Sequence, residues 1–470
     1  MSLKFPSSGR DEATIRSEIN LIQDSIKQYF AGTLPGKPDI YPHQLAIDTW
    51  AQLSSVNPNN SGIHTRETTN PLAKGRTSAW DTTRQLEREL IGMMADLYNL
   101  PDEELDGYVT SGGTESNLAG LWIGRNLLLG DVSDESGLRP SMPIAVIAAR
   151  TAHYSVRKIC NLLGLGEGYW RKCPKCGHSH EFVGDPDGSG LQLVDVDDNF
   201  AIDLYAFEQR LQELSVLGVR HVLVIATVGS TITGSVDPIK DMCALLRLAC
   251  DRYGIKSHFH VDGAFGGLVL PFIQENSGTN SRYAINWSEW PEVASLCVNW
   301  HKMGLVPYGS GTFLCRKNLL AHVQRPVAYS MTGIDTTVVG SRSGAMAAAC
   351  WAIVQMMGYD GFQKMVSHCM TTAERLRHAL EDLPEVDLLR PAPVNLVALR
   401  LLDKASSSPK TREMLGRHRI YPDWLSRRAS DCPEEIFPIY LMPHVTTDDV
   451  DRFVADLVTT FRCFRGGGQN

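Results

Sequence analysis

The chain has 470 residues, 43% of them hydrophobic and 21% charged, with a formal net charge of −8 at pH 7. That length predicts two or three domains with ordinary cores. The negative charge argues against a nucleic-acid or anionic-membrane surface, which leaves a small molecule or another protein as the expected partner.

The first residues, Met1 to Pro6, lack the apolar core of a signal peptide. Between residues 12 and 30, Ile15, Ile19, Ile22, Ile26 and Phe30 recur at helical spacing. Such a helix has little core of its own and is expected to pack on another domain or subunit. Stretches rich in Pro, Gly and Asn (Leu34 to Pro42, Asn57 to Gly62) separate it from the main body. A helical pattern resumes from Thr82 to Asn99. Strand and helix patterns then alternate: Tyr108 to Thr110, Glu115 to Leu129, Ile144 to Ala148, a helix from Ser155, His221 to Ala226, Pro238 to Tyr253, Lys256 to Val261, and Ala294 to Val298. This βαβ rhythm predicts a mostly parallel sheet covered on both faces. A long helix begins near Ser343; its most apolar part, Ala345 to Met357, is short of the ~20 residues that cross a membrane. The expected division is an N-terminal helical segment for dimerisation (1–70), a large domain (71–357) and a small α+β domain (358–470). Ser406 to Pro409 reads as a flexible joint, and the Gly466 to Gly468 tail as disordered.

The residues with chemical potential fall where predicted strands end. Thr110 to Asn117 (TSGGTESN) joins a strand to a helix, so glycines and a helix N-terminus offer an anion cradle at Gly113 and Thr114. A Gly-rich capped turn is the equally weighted alternative. His153 follows the next strand and suits stacking on a planar cofactor. Thr227 to Thr231 closes another strand with hydroxyls. Asp262 ends a third, and Lys302 follows a fourth within Asn299-Trp300-His301-Lys302-Met303-Gly304. A lysine able to form an imine and a carboxylate able to face a pyridinium nitrogen are the two groups that pyridoxal 5′-phosphate (PLP) requires. Strand ends facing one crevice are where open α/β sheets hold ligands.

The ordered set SGGTESN, HYS, ATVGST, HVDGA, NWHKMG and GSRSG resembles the PLP-dependent amino-acid decarboxylases related to glutamate, aromatic-amino-acid and histidine decarboxylases, a group that includes sphingosine-phosphate lyase. The resemblance runs from about Pro71 into the C-terminal domain. It implies the PLP-dependent transferase fold of the aspartate-aminotransferase type. It implies that Lys302 carries the Schiff base, that Asp262 pairs with the pyridine nitrogen, and that His153 and Ala264 lie on opposite ring faces. Asn299, His301, Gly113 and Thr114 would hold the phosphate, and Thr231 would sit near the ring oxygen. Tyr329 would return a proton after carbon dioxide leaves. Ser341, in Gly340-Ser341-Arg342, would reach the phosphate of a partner subunit, which implies a homodimer with shared active sites.

The implied activity is conversion of an L-amino acid to its amine and carbon dioxide. A carbon–carbon lyase acting on a phosphorylated amino alcohol is the alternative, and no second basic phosphate patch accompanies it. A retired scaffold predicts damage at Lys302 or Asp262, and both are intact. Tyr440 to Thr446 resembles the histidine and serine decarboxylase branch, and Trp300 is expected to reshape the pocket wall.

Eleven cysteines at no framework spacing suit reduced thiols in a cytoplasmic protein. Cys173-Pro174-Lys175-Cys176-Gly177-His178-Ser179-His180, within an insertion at 170–185, is half of a zinc ribbon. No second Cys-x-x-Cys completes it. The expectation is therefore a reduced surface hairpin with no metal, with zinc through His178 or His180, or a local disulfide, as alternatives.

Overall fold

The computed structural model describes residues 11–25, 34, 42–55, 82–130, 142–173, 176–177, 179–273, 285–326, 334–402, 405 and 408–465. The N-terminal segment holds α1 (Glu12–Ser25) and α2 (Gln44–Ser54), followed by α3 (Thr82–Leu97). The alternating region runs β1 (Leu105–Thr110), α4 (Gly113–Leu129), β2 (Ile144–Ala149), α5 (Ser155–Leu162), β3 (Tyr169–Lys172), β4 (Ser179–Val183), β5 (Gly190–Val194) and α6 (Leu204–Val216). It continues through β6 (His221–Thr227), α7 (Ile239–Tyr253), β7 (Lys256–Asp262), β8 (Val293–Asn299) and β9 (Gly311–Arg316). A two-residue pair, β10 (Arg325–Pro326) and β11 (Ile334–Asp335), precedes α8 (Gly344–Glu381).

Seven strands form one sheet in the order β1-β9-β8-β7-β6-β2-β5. The run β8-β7-β6-β2-β5 is parallel, and β9 lies antiparallel between β1 and β8. Parallel strands are covered on both faces, which is why β6 is apolar and buried from Val222 to Ala226 instead of alternating. On one face α4 lies close because it carries glycines where the sheet carries histidines. A Cβ at Gly120 would stand 2.5 Å from His260 Nδ1, and one at Gly124 2.5 Å from His258 Cδ2.

The other end of the chain forms a smaller antiparallel sheet, ordered β12 (Val386–Leu388), β13 (Leu396–Leu401), β15 (Glu434–Tyr440) and β14 (Asp423–Leu425). Helices Pro409–Arg417 and Thr447–Arg465 and the second half of α8 cover it. Gly358 interrupts α8 with φ 56° and ψ −175°, so the helix changes direction where an L side chain would be strained. Ser343 caps its start by accepting the Met346 N–H at 3.2 Å.

α2 packs on α8, with Leu34 and Ala46 fully buried. In α1, by contrast, Ile15, Ile19 and Leu21 are exposed. The joint at Ser406 and Ser407, the glycine tail and the segment Asn57 to Gly62 lie outside the described residues.

Arg342 does not project outward from its turn. Its guanidinium is buried on Glu87, with Nη2 3.1 Å from Oε2, donates to the Val109 carbonyl at 2.8 Å and lies 5.0 Å from the Tyr108 ring centroid. Glu87 also accepts the Val109 N–H at 2.7 Å, so the pair pins α3 and α8 to β1. Removing one partner of a buried pair strands the other charge. Glu87→Ala is therefore expected to cost about 3–5 kcal/mol in urea unfolding. A loss below about 1 kcal/mol, the size of an exposed pair, would contradict this assignment.

Candidate active site

Five strands, β1, β2, β6, β7 and β8, deliver their carboxyl ends to one pocket. Its lining includes Gly112, Gly113, Thr114, Thr151, His153, Thr227, Thr231, Asp262, Ala264, Phe265, Asn299, His301 and Lys302. Every sequence-predicted site residue is among them except two. Ser341 is exposed and outside this lining, and Tyr329 lies outside the described residues.

Asp262 is the best-defined group. Oδ2 accepts from Asn117 Nδ2 at 2.7 Å, and Oδ1 accepts the Ala264 N–H at 3.1 Å and the Cys297 thiol at 3.2 Å. All three neighbours donate, which suits an ionised, acceptor-only carboxylate. Burial alone would raise its pKa, but the Lys302 charge and the Asn117 hydrogen bond outweigh burial and hold it below the usual carboxylate range. Asn117 is oriented from behind, since its Oδ1 takes a hydrogen bond from His260 Nε2 at 2.9 Å and His260 Nδ1 meets Ser295 Oγ at 2.8 Å. Because Asn117 Nδ2 is committed to Asp262, His260 carries its proton on Nε2.

Lys302 follows β8 and is partly buried, its Nζ 6.0 Å from the Phe265 ring centroid. Burial lowers its pKa and Asp262 opposes that shift. His153 accepts the Ser155 N–H on Nδ1 at 3.3 Å, which leaves the proton on Nε2. Burial lowers its pKa as well. Phe265 of the lining is backed by the smaller sheet: Tyr440 of β15 packs edge-on to it at 5.4 Å and donates to the Thr231 carbonyl.

The anion cradle is shaped by Gly112, whose φ of 144° and ψ of −178° are open to glycine alone. A Cβ there would lie 3.0 Å from His301 Cε1. Glu115 secures the turn by accepting from the Ser111 N–H and hydroxyl at 2.8 and 2.6 Å. An α-helix leaves its first N–H groups without intrahelical acceptors, so Gly113 and Thr114 present donors and a positive dipole end here.

Trp300 departs from expectation. It is fully buried, donates to Thr312 Oγ1 at 2.7 Å, which holds the indole against β9, and takes no part in the pocket lining. Asn117, His260 and Cys297 are the residues that sequence reasoning missed. Asn117 lies one turn beyond the cradle on α4, where the i, i+4 spacing from Gly113 carried the signal.

These buried imidazoles set a pH dependence. Burial lowers His258 to about 3 and His260 to about 4, and burial with the Lys302 charge lowers His301 to about 4. An unfolded chain protonates them near 6.5 while the native protein refuses the protons, so their contribution is full above 6.5 and is lost as pH falls toward 4. Asp237, raised to about 6 by burial, acts in the opposite sense below pH 6. Three imidazoles outweigh one carboxyl, so the melting temperature of the cofactor-free protein should fall steadily from pH 6.5 to 4. A flat profile would mean that these rings are protonated in the native state.

A family model described as the pyridoxal-dependent decarboxylase conserved domain matches residues 78–402. The chain is 28% identical over 381 residues to a probable L-tyrosine/L-aspartate decarboxylase of Methanothermobacter thermautotrophicus, covering 80% of this chain and 87% of that one. It is 28% identical over 405 residues to a tryptophan decarboxylase of Clostridium sporogenes, covering 85% and 82%. Among solved structures, the sphingosine-1-phosphate lyase of Burkholderia pseudomallei K96243 superposes with a TM-score of 0.72 at 18% identity over 98% of this chain and 93% of that one. At that identity the likeness is one of fold alone.

Proposed function

The chain belongs to the pyridoxal-dependent decarboxylase family, and from that premise we propose which residues perform the reaction and where its subunits meet. Its fold is the PLP-dependent transferase fold of the aspartate-aminotransferase type, and its cofactor is pyridoxal 5′-phosphate. It is a carboxy-lyase that converts an L-amino acid to the corresponding amine and carbon dioxide.

The pocket fits the cofactor on its own evidence. Thr227 Oγ1, Asn299 Oδ1 and Glu115 Oε1 are buried in its wall with no hydrogen-bond partner, a cost that a polar ligand would relieve. The observation that carries the proposal is an anionic Asp262 held by three donors in the same pocket as a lysine of lowered pKa. When bound, PLP supplies an electron-withdrawing ring that takes up the electron pair left as carbon dioxide departs.

Asp262 would pair with the ring nitrogen and keep it protonated. His153 and Ala264 would bracket the ring, Thr231 would meet its oxygen, and Gly113, Thr114, Asn299 and His301 would hold the phosphate. Lys302 would anchor the cofactor through Nζ and yield its place to the substrate amine; its lowered pKa makes the lone pair available. The apolar Phe265 ring, backed by Tyr440, would keep water from the space beside Lys302, which favours loss of a charged carboxylate. Tyr329 would return a proton from its phenol to the α-carbon.

The proposal extends to a homodimer built on residues 1–70, with a large domain at 71–357 and a small one at 358–470. Exposed Ile15, Ile19 and Leu21 on α1 and the break in α8 at Gly358 support it. Ser341 would then act on the partner's site. The eleven free cysteines support a cytoplasmic location.

The test is a mass-spectrometric screen of PLP-loaded protein against aromatic, acidic and other amino acids, scoring amine, aldehyde and carbon dioxide together. Amine and carbon dioxide in equal amounts from one substrate support the reading. Silence with bound cofactor, and turnover of a phosphorylated amino alcohol instead, would replace it with the lyase.

A further inference from the structure

We propose that Cys173, Cys176, His180 and Cys432 form a structural zinc site that ties the β3–β4 hairpin to the turn between β14 and β15. The ligand atoms of these four residues all lie within 4.8 Å of one another. Zn–S bonds of about 2.3 Å place tetrahedral ligand atoms about 3.8 Å apart, so closure onto an ion needs shifts of an ångström or less. Three thiolates and one imidazole are a common structural zinc set, and four protein ligands leave no open position for catalysis.

The local geometry is already that of a chelating turn. The Gly177 N–H donates to the Cys173 carbonyl at 2.8 Å, and Gly177 adopts φ 74°, folding Cys176 back toward Cys173. His180 provides the second, independent sign. It is only 7% exposed, and both of its ring nitrogens are buried without a hydrogen-bond partner. Each such unmade bond costs about 1–3 kcal/mol, and a metal ion on one nitrogen removes one of those costs. A disulfide among three thiols would leave the third thiol and this imidazole unexplained.

Cys432 arrives from the other sheet, on a turn docked by polar contacts. The Val196 N–H donates to the Arg427 carbonyl at 3.0 Å, the Ala429 N–H to Asp195 Oδ1 at 3.0 Å, and Arg427 to Asp198 at 2.7 Å. Arg150 joins the two sides, donating to the His180 carbonyl at 3.0 Å and to Ser426 Oγ at 3.1 Å. Arg150 immediately precedes Thr151 in the pocket lining, so the ion would brace the strand end that carries His153.

The experiment is metal analysis of the PLP-loaded protein purified under reducing conditions, with cobalt substitution and the Cys432→Ser and His180→Gln variants. The expected result is about one zinc ion per chain and, with cobalt, the intense visible bands and sulfur charge transfer of a tetrahedral thiolate site. Cys432→Ser should retain zinc against a chelator at least about 10-fold less well while still binding PLP. Zinc below about a tenth of an ion per chain, both as purified and after reconstitution of reduced protein, would overturn the site. So would a peptide map showing Cys432 disulfide-bonded to Cys173 or Cys176. Full zinc retention in both variants would overturn the ligand set. The cobalt spectrum of the unaltered protein decides the matter even where a variant fails to fold.

Discussion

Lys302→Ala is expected to lower turnover by about 10⁴-fold or more, the scale of losing a covalent nucleophile, and to abolish the visible absorbance of lysine-bound cofactor. The expectation rests on placement. Among the described residues lining the pocket, Lys302 is the one Lys or Arg side chain. Burial lowers its pKa, so the neutral amine is reached at a lower pH than for an ordinary lysine. Alanine removes that amine and the charge it sets beside Asp262, but leaves the cradle and the hydrogen bonds from Asn117, Ala264 and Cys297 to Asp262 in place. The variant should therefore fold with a native circular-dichroism spectrum. Steady-state assay of amine release checks the rate, and activity within 10-fold of the parent would remove Lys302 from the mechanism.

Asp262→Asn is expected to fold, to bind cofactor and to lose about 10²- to 10³-fold in turnover, the scale of removing one fixed electrostatic partner from a buried site. An amide at 262 has the carboxylate's shape but not its charge. Its NH₂ group would face a donor on either side, since Asn117, Ala264 and Cys297 all donate to the carboxylate. Relief is available in one direction only. Asn117 can flip its amide if His260 moves its proton from Nε2 to Nδ1, where Ser295 Oγ can accept it. That rearrangement preserves packing while the negative charge is lost, so kcat should fall far more than thermal stability. Equal losses in rate and in melting temperature would make Asp262 a structural residue only.

Much of this was readable from the chain because its candidate site residues fall within short segments at strand ends. TSGGTESN, HVDGA and NWHKMG each couple a strand terminus to one chemical group, and the parallel topology then brings those termini together whatever lies between. Asp262 and Lys302 needed no long-range information beyond that rule, whereas Asn299 and His301 were named by the resemblance. What escaped was pairwise and long-range. β9 inserts between β1 and β8, so two strands with no intervening signal became neighbours. Arg342 is buried on Glu87, a partner on α3 that no local pattern names. Trp300 looked like a pocket residue by its neighbours, yet it is buried in the core with its indole on Thr312 of β9. Cys432 stands alone in sequence; only the docking of its turn against Asp195 and Asp198 brings it to the cysteine hairpin.

The central claim is that Lys302 and Asp262 share one PLP-holding pocket. Borohydride reduction of the PLP-loaded protein, followed by peptide mass mapping, tests it most directly. The account predicts the reduced cofactor covalently on the peptide carrying Lys302 and on no other, with the label absent from Lys302→Ala and present in Asp262→Asn. A label on a different lysine, or stoichiometric labelling of Lys302→Ala, would contradict it.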